Sequence, residues 1–147
     1  MKKEYLVNTY NAIFAMQQIK GTVFEFRRFV NHFKKHIKNN GENVFDDLEL
    51  WQEDNQNLAL EYALKDDQGN VMYDEIGAGA KSPRGLLPGE NNEYDIAKKE
   101  HKAKKDEILD GEIEIDPFEE RIHKKHLPKS EDFTAAMQEF FEDNIDG

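Results

Sequence analysis

The segment Gly79-Ala80-Lys81-Ser82 resembles the end of a phosphate-binding loop, in which backbone amides and a lysine hold nucleotide phosphates. That motif requires a glycine directly before the lysine and a second glycine five positions earlier. Ala80 and Glu75 occupy those two positions. We therefore interpret the segment as part of a loop and expect no nucleotide or other cofactor.

Two pairs of histidines are spaced closely enough to share a metal ion. His32 and His36 lie four residues apart on a predicted helix, but no carboxylate lies between them and two lysines add repelling charge. His123 and His126 lie near three carboxylates, in an order that fits no known metal-binding pattern. Those carboxylates are Asp116, Glu119 and Glu120. We expect neither pair to bind a metal.

Adjacent carboxylates recur along the chain, at Asp46-Asp47, Glu53-Asp54, Asp66-Asp67, Glu119-Glu120 and Glu131-Asp132 among other places. Acid–base catalysis needs two carboxyl groups whose environments separate their pKa values, usually in an apolar pocket. Most of these pairs fall opposite the apolar stripes, where water surrounds them. Ser82 and Ser130 fall in a turn and at a helix cap, so they support no Ser–His–Asp arrangement. We expect no catalytic residue and predict that the protein is not an enzyme.

Basic and aromatic residues are interleaved between Phe24 and Lys38, a composition typical of nucleic-acid-binding helices. The basic residues are Arg27, Arg28, Lys34, Lys35 and Lys38, and the aromatic residues are Phe24 and Phe29. A competing interpretation is that an acidic helix of the same chain covers this face. The net charge of −11 favours the covered face. We therefore expect no direct binding of nucleic acid.

Apolar spacing predicts the helices that position these residues. Residues 5–19 form a first helix, which Lys20-Gly21 ends. Thr22 and Glu25 match a capping box and predict the start of a second helix. Its apolar residues have heptad spacing, at Val23, Phe26, Val30, Phe33 and Ile37. Gly41 is expected to end this helix in a left-handed conformation.

A third helix follows, capped by Asn43, and it also carries an apolar stripe with heptad spacing. The stripe consists of Val44, Leu48, Trp51, Asn55, Leu58 and Tyr62. Two such helices joined by a tight glycine turn favour an antiparallel hairpin. We expect Phe26 and Phe33 to be buried in that hairpin. Leu48 and Trp51 are their expected neighbours.

The middle of the chain is predicted to contain a turn, a short strand, a loop and a helix. The turn covers residues 65–70, and residues 71–73 form the strand. Residues 77–92 form a flexible loop rich in glycine and proline. The helix is capped by Asp95 and runs to about Leu109.

The C-terminal part is predicted to contain strands and a last helix. Glu112–Asp116 alternates between acidic and apolar residues, which is the clearest strand pattern in the chain. Residues 122–127 are a candidate partner strand. Ser130 is expected to cap the last helix, which has an apolar face. That face comprises Phe133, Ala136, Met137, Phe140 and Phe141.

These elements predict a mainly α (α+β) fold with an antiparallel helical hairpin, further helices and a small β element. We divide the chain into a hairpin region at 1–76, the loop at 77–92, and a region at 93–147 with a helix, short strands and an acidic C-terminal helix. A chain of 147 residues fits one domain. Phe24, Phe29 and Leu50 lie outside the stripes and predict a second packing surface or an exposed partner site.

The composition restricts the cellular environment and the partners that we expect for the protein. The chain contains no cysteine, which excludes disulfides and favours a reducing cytosol. It has no apolar run long enough to span a membrane. Charge is unevenly distributed, since residues 1–40 contain eight basic and two acidic residues, whereas residues 131–147 contain six acidic residues and no lysine or arginine. An acidic surface of this kind attracts basic partners or imitates a phosphate chain.

The order and spacing of several segments resemble a family of small phage- and prophage-encoded proteins of unknown function, seen mainly in viruses of Gram-positive bacteria. The matching segments are Leu6-Val7-Asn8, Ile19-Lys20-Gly21, Phe26-Arg27-Arg28-Phe29, Glu61–Asn70, Leu109 and Glu112–Ile115. The resemblance covers about residues 5–116, and the loop at 77–92 departs from it. It implies a phage setting and no particular chemistry.

We therefore expect a small acidic protein that binds another protein, of host or phage, in the host cytosol. Carboxylates on its helices would imitate nucleic-acid phosphates and inhibit a host or defence protein that binds nucleic acid. The residues expected to bind are Glu49, Glu53, Asp54, Glu131, Asp132, Glu139, Glu142 and Asp143. The alternative is a virion or tail-assembly component that associates with copies of itself.

Overall fold

A computed structural model describes residues 1–147, and it is mainly helical with a small β component, as predicted. The helices are α1 Lys3–Gln17, α2 Phe24–Asn40, α3 Glu42–Tyr62, α4 Asn92–Ile108 and α5 Ala135–Glu139. The strands are β1 Tyr73–Glu75, β2 Lys81–Pro83, β3 Ile122–His123 and β4 Ile145–Asp146. None of the helices combines the length and apolar character needed to cross a membrane.

The chain divides into two compact units. The first unit consists of residues 1–45 and 109–147, and the second consists of residues 46–108. The predicted division at 76 and 92 does not match these boundaries, because the first unit combines segments from both ends of the sequence.

The core of the first unit is built on the apolar face of α2. Its residues Phe26, Val30, Phe33 and Ile37 are buried at the predicted heptad spacing. Val23, the first residue of the predicted stripe, precedes the helix and is 45% exposed. The first helix places three fully buried side chains against this face, namely Leu6, Ile13 and Met16. Burying apolar surface stabilises the folded state by about 25 cal/mol per Å². Because these residues are buried, the opposite side of α2 faces outward.

The C-terminal segment supplies the aromatic rings that complete this core. The ring centroid of Phe29 lies 5.1 Å from that of Phe141 and 5.5 Å from that of Phe118. The ring of Phe26 lies 5.6 Å from that of Phe133. Inclined aromatic rings at such distances attract each other beyond the effect of burial alone. The beginning and end of the sequence are therefore packed together in the first unit.

The predicted antiparallel hairpin of α2 and α3 is wrong. The apolar face of α2 packs on α1 and the C-terminal rings, whereas Trp51 of α3 stacks on His101 of α4. Heptad spacing shows that a helix carries an apolar stripe, but it does not show which element covers that stripe. The opposite charges of the two helices do not decide the pairing, because exposed ion pairs contribute only about 0–1 kcal/mol each.

The predicted N-terminal caps of α2 and α3 are also wrong. The N-cap of α2 is Val23, no side chain caps the helix, and Thr22 does not form a capping box with Glu25. Asn43 lies inside α3, which begins one residue earlier at Glu42. The helices are held in place by packing, so the missing caps are tolerated.

Gly41 separates α2 from α3 without adopting the predicted left-handed conformation. Its φ angle is −103°. A Cβ atom at this position would collide with the side chain of Leu6 and would lie 2.9 Å from Cε2 of Phe45. Glycine is therefore needed here because two apolar side chains approach the backbone, and not because of its backbone freedom.

The segment Glu112–Asp116 is not the predicted strand. Glu112 forms an isolated antiparallel bridge with Lys2. The backbone of Ile113 bonds twice to Met1: its N–H donates to the Met1 carbonyl at 2.8 Å, and its carbonyl accepts from the Met1 ammonium group at 3.1 Å. The isoleucines of the segment pack on the core while the glutamates are exposed. Alternating acidic and apolar residues thus indicate an extended segment that is buried on one side. Such a segment does not need a continuous ladder of hydrogen bonds to a neighbouring strand.

The β element of the first unit is a short parallel pair. Ile122 lies opposite Ile145 where β3 pairs with β4. The predicted strand at 122–127 is thus correct only for its first two residues, since Lys124–His126 forms a 3-10 turn.

The last helix is shorter than predicted. Its N-cap is Thr134, whose Oγ1 accepts a hydrogen bond from the Met137 N–H at 3.2 Å. Ser130, the predicted cap, accepts instead from the Asp132 N–H at 3.1 Å and stabilises a turn before α5. Ser130 and Thr134 are both favourable N-cap residues, four positions apart. The sequence therefore predicts a start of the helix that is four residues too early.

In the second unit, Trp51 and His101 join α3 to α4. Their rings stack with centroids 4.7 Å apart and planes inclined by 9°. The indole N–H donates to the His101 carbonyl at 2.7 Å, and Nε2 of His101 donates to the Trp51 carbonyl at 3.0 Å. At the start of α4, Asn91 and not Asp95 is the cap, because its side-chain oxygen accepts from the Tyr94 N–H at 3.1 Å.

The second unit also contains an antiparallel hairpin of β1 and β2, with Tyr73 opposite Pro83. The first strand begins at the end of the predicted strand at 71–73. The second lies inside the predicted loop at 77–92. Backbone hydrogen bonds tie it to the end of α3, since the Leu64 N–H donates to the Arg84 carbonyl at 2.9 Å.

Candidate partner-binding surfaces

Five of the predicted partner-binding carboxylates surround α5 in the first unit, and all five are exposed. They are Glu131, Asp132, Glu139, Glu142 and Asp143. Burial of Phe141 and partial burial of Met137 hold the apolar side of this segment inward, so the carboxylates face water. None of them takes part in the ion pairs of the structure. We call these five residues the C-terminal acidic cluster.

The other three predicted residues lie on α3 in the second unit. Glu49, Glu53 and Asp54 are all exposed and also form no ion pair. Glu49 and Glu53 are four residues apart and therefore share one face of the helix. Asp54 lines a cavity of about 330 Å³ together with residues of α4, among them Glu100, His101 and Lys104. Because the eight residues belong to two units, we treat them as two separate surfaces.

The basic face of α2 is exposed, so the expectation that an acidic helix covers it is wrong. Arg27, Arg28, Lys35 and Lys38 are exposed, and none of them forms an ion pair. Lys34 is partly buried because its Nζ lies 4.3 Å from the ring centroid of Phe14. The burial of apolar surface on the opposite side of α2 directs these cations outward.

Three of the four candidate metal-binding histidines have other partners. His32 Nδ1 donates to the Glu120 carboxylate at 2.7 Å, and His36 Nε2 donates to the Asp116 carbonyl at 2.6 Å. His123 Nδ1 accepts from the Lys125 N–H at 3.0 Å. Nowhere does the structure bring three metal-ligating side chains together.

The segment that resembles a phosphate-binding loop is part of the β1–β2 hairpin. Lys81 and Ser82 lie in β2, and the Ala80 N–H donates to the Gly77 carbonyl at 2.8 Å to close the turn. A phosphate-binding loop must lead into a helix, whose N-terminal amides face the phosphate. Here the segment leads into a strand, so it lacks the helix N-terminus that such a loop requires.

The three apolar residues outside the stripes have different environments. Phe29 is buried and belongs to the core. Phe24 and Leu50 are 62% and 60% exposed. Phe29 therefore belongs to a second packing surface, as predicted. For Phe24 and Leu50, an exposed partner site stays the prediction.

The first unit contains a cavity that no sequence pattern predicts. This cavity of about 560 Å³ is lined by α1, α2 and the segments around Phe118 and Phe140. Its lining includes His36, Arg121 and Asp143. These residues are distant in the sequence and belong to no shared motif, so only the fold brings them together.

Comparisons with protein-family models, with curated proteins and with solved structures found no match.

Proposed function

We propose that this protein acts by binding another protein through its acidic surfaces, and that it inhibits a host or defence protein that binds nucleic acid. The observation that supports this proposal is that all eight carboxylates are exposed and unpaired. Carboxylates free of intramolecular partners are available to a basic groove that otherwise holds phosphates. The proposed setting is the cytosol of a bacterial host, and it rests only on the resemblance to phage-encoded proteins.

A variant that neutralises the C-terminal acidic cluster tests the proposal. It carries Glu131→Gln, Asp132→Asn, Glu139→Gln, Glu142→Gln and Asp143→Asn. Each charge contact of this kind contributes a few tenths to about 1 kcal/mol. We therefore expect the variant to inhibit nucleic-acid binding at least about ten-fold less strongly than the wild type. The measurement is a gel-shift competition with a nucleic-acid-binding protein captured from a Gram-positive lysate.

The matched control removes five exposed carboxylates elsewhere in the chain. It carries Asp106→Asn, Glu107→Gln, Asp110→Asn, Glu112→Gln and Glu114→Gln, so its net charge equals that of the test variant. The control should inhibit as the wild type does. If the two variants lose the same amount of inhibition, net charge and not the cluster is responsible. Full inhibition by the test variant contradicts the role of the cluster.

Self-association, as in a virion or tail-assembly component, is a second candidate because the second unit exposes large apolar side chains. Leu50 is 60% exposed and Ile96 is 53% exposed. On this hypothesis, Leu50→Glu converts an oligomer into a monomer, because a charge would be buried without a partner. Gln52→Glu adds the same charge on α3 and should leave the oligomer intact. Light scattering measures the mass, and a monomeric wild type contradicts this candidate.

A further inference from the structure

The outward face of α2 combines cations with an exposed aromatic ring. Phe24, Arg28, Asn31 and Lys35 recur at spacings of four, three and four, and therefore form one stripe along the helix. Arg27 lies beside this stripe. Because the opposite side of α2 is buried in the core of the first unit, the stripe has a fixed orientation toward water. We call these five residues the basic stripe.

The aromatic ring of the stripe is not used by the fold. Phe24 is 62% exposed, although its neighbours Phe26 and Phe29 are each at most 2% exposed. The guanidinium carbon of Arg28 lies 5.5 Å from the Phe24 ring centroid. An arginine over an aromatic face is attracted by the electrons of the ring. Phe24 is therefore a flat apolar surface bordered by a cation.

Polar contacts orient the middle of the stripe. The Asn31 side-chain oxygen accepts a hydrogen bond from Gln17 Nε2 at 3.0 Å, which leaves the Asn31 amide hydrogens available to a ligand. The stripe and His32 together line a cavity of about 320 Å³ on the outer side of the helix. The cations thus border a concave surface.

The local charge of this surface is positive although the chain as a whole is acidic. The second helix contains five lysines and arginines and one glutamate, Glu25. A further carboxylate approaches from the C-terminal segment, since Glu120 accepts from His32 at 2.7 Å. Arg27, Arg28 and Lys35 form no ion pair. These three cations are therefore available to an anionic ligand at short range.

We propose that the basic stripe binds single-stranded nucleic acid. Arg27, Arg28 and Lys35 contact backbone phosphates, and arginine suits this role because its planar fork can bond two phosphate oxygens. Phe24 stacks on an unpaired base, since every base has a π face. A paired base is already stacked on both sides, so the ring selects single strands over duplex. An acidic protein segment would use the cations but would have no equivalent use for the ring.

This inference revises the expectation that nucleic acid is not a direct partner. It does not rest on the proposed inhibition, because no residue of the basic stripe belongs to the acidic surfaces. The two hypotheses are tested with different variants. One can fail without the other.

The test is fluorescence anisotropy of a labelled oligothymidylate of about 12 nucleotides, within the usual site size, titrated with the full chain at low salt. Phe24→Ala should weaken binding at least about five-fold through lost stacking. The triple variant Arg27→Gln, Arg28→Gln, Lys35→Gln should lose most of the binding. Its plot of log affinity against log salt should also flatten by about 0.7 for each lost phosphate contact.

The matched control for the triple variant is Lys99→Gln, Lys102→Gln, Lys104→Gln, which removes three exposed lysines of α4. It should bind the oligonucleotide as the wild type does, and circular dichroism should show every variant folded. Absence of binding by the wild type overturns the inference, as does equal affinity for the duplex form. If the triple variant instead abolishes self-association measured without oligonucleotide and leaves oligonucleotide binding unchanged, the stripe binds an acidic protein surface.

Discussion

Replacement of Phe141 by alanine is expected to lower the free energy of unfolding by about 3–5 kcal/mol, as truncation of a buried aromatic residue does. Phe141 is 2% exposed, and its ring centroid lies within 6.1 Å of those of Phe29, Phe33 and Phe133. The change removes apolar contacts and leaves a cavity between the C-terminal segment and α2. Urea unfolding followed by circular dichroism measures the loss.

Phe24→Ala is the matched control for this prediction, since it makes the same chemical change on an exposed ring. Its effect on the free energy of unfolding should be within about 0.5 kcal/mol. Equal losses from the two variants would mean that α2 does not present the side described here to the core. The comparison therefore tests the orientation on which the basic stripe depends.

In the second unit, Trp51→Ala should have the next largest effect, about 3 kcal/mol, which is the lower end of the range for aromatic truncation because the ring is only partly buried. The variant loses the stacking on His101 and the hydrogen bond from the indole N–H to the His101 carbonyl. Trp51→Phe keeps a stacking ring and should lose about 1 kcal/mol, the contribution of one hydrogen bond.

Hydrogen exchange of the α3 and α4 amides measures these changes without relying on the fluorescence of the single tryptophan. Gln52→Ala is the control, because Gln52 is an exposed neighbour of Trp51 on the same helix and should change amide protection very little. Unchanged protection in Trp51→Ala would show that this side chain does not join the two helices.

The sequence predicts which side of each helix is buried far better than what covers it. In α2, heptad spacing correctly identifies Phe26, Val30, Phe33 and Ile37 as core residues. The same spacing in α3 does not identify the element that packs on it, and the predicted pairing of α3 with α2 is wrong. The hydrophobic effect is not directional, so any complementary apolar surface can cover such a stripe. The aromatic rings that cover α2 come from a segment far along the chain. The spacing of these residues in the sequence does not predict that they pack on α2.

The alternating segment Glu112–Asp116 shows the same limit for strands. A period of two requires only that one side of an extended chain is buried. Whether a ladder forms depends on a neighbouring backbone, and here only the first residues of the chain are adjacent.

Among the candidate site residues, exposure of the eight carboxylates follows from their positions opposite apolar residues. Net charge predicts a covered basic face on α2, whereas Arg27, Arg28, Lys35 and Lys38 are exposed. A sum over the chain does not describe one face of one helix. The interleaved Phe24 was the signal available in the sequence, since an aromatic residue outside the stripe either packs elsewhere or contacts a ligand.

The second unit interrupts the first in the sequence, and this order affects synthesis of the protein. Residues 46–108 are contiguous, so every contact within them can form once that stretch has left the ribosome. The aromatic face of α2 is made earlier, but Phe118, Phe133 and Phe141 emerge only after residue 108. Until then, α1 is the only element of the first unit's core that can cover the apolar face of α2, and the part of that face that packs on the C-terminal rings stays exposed. Chaperone capture or aggregation during translation should consequently depend on the first 45 residues.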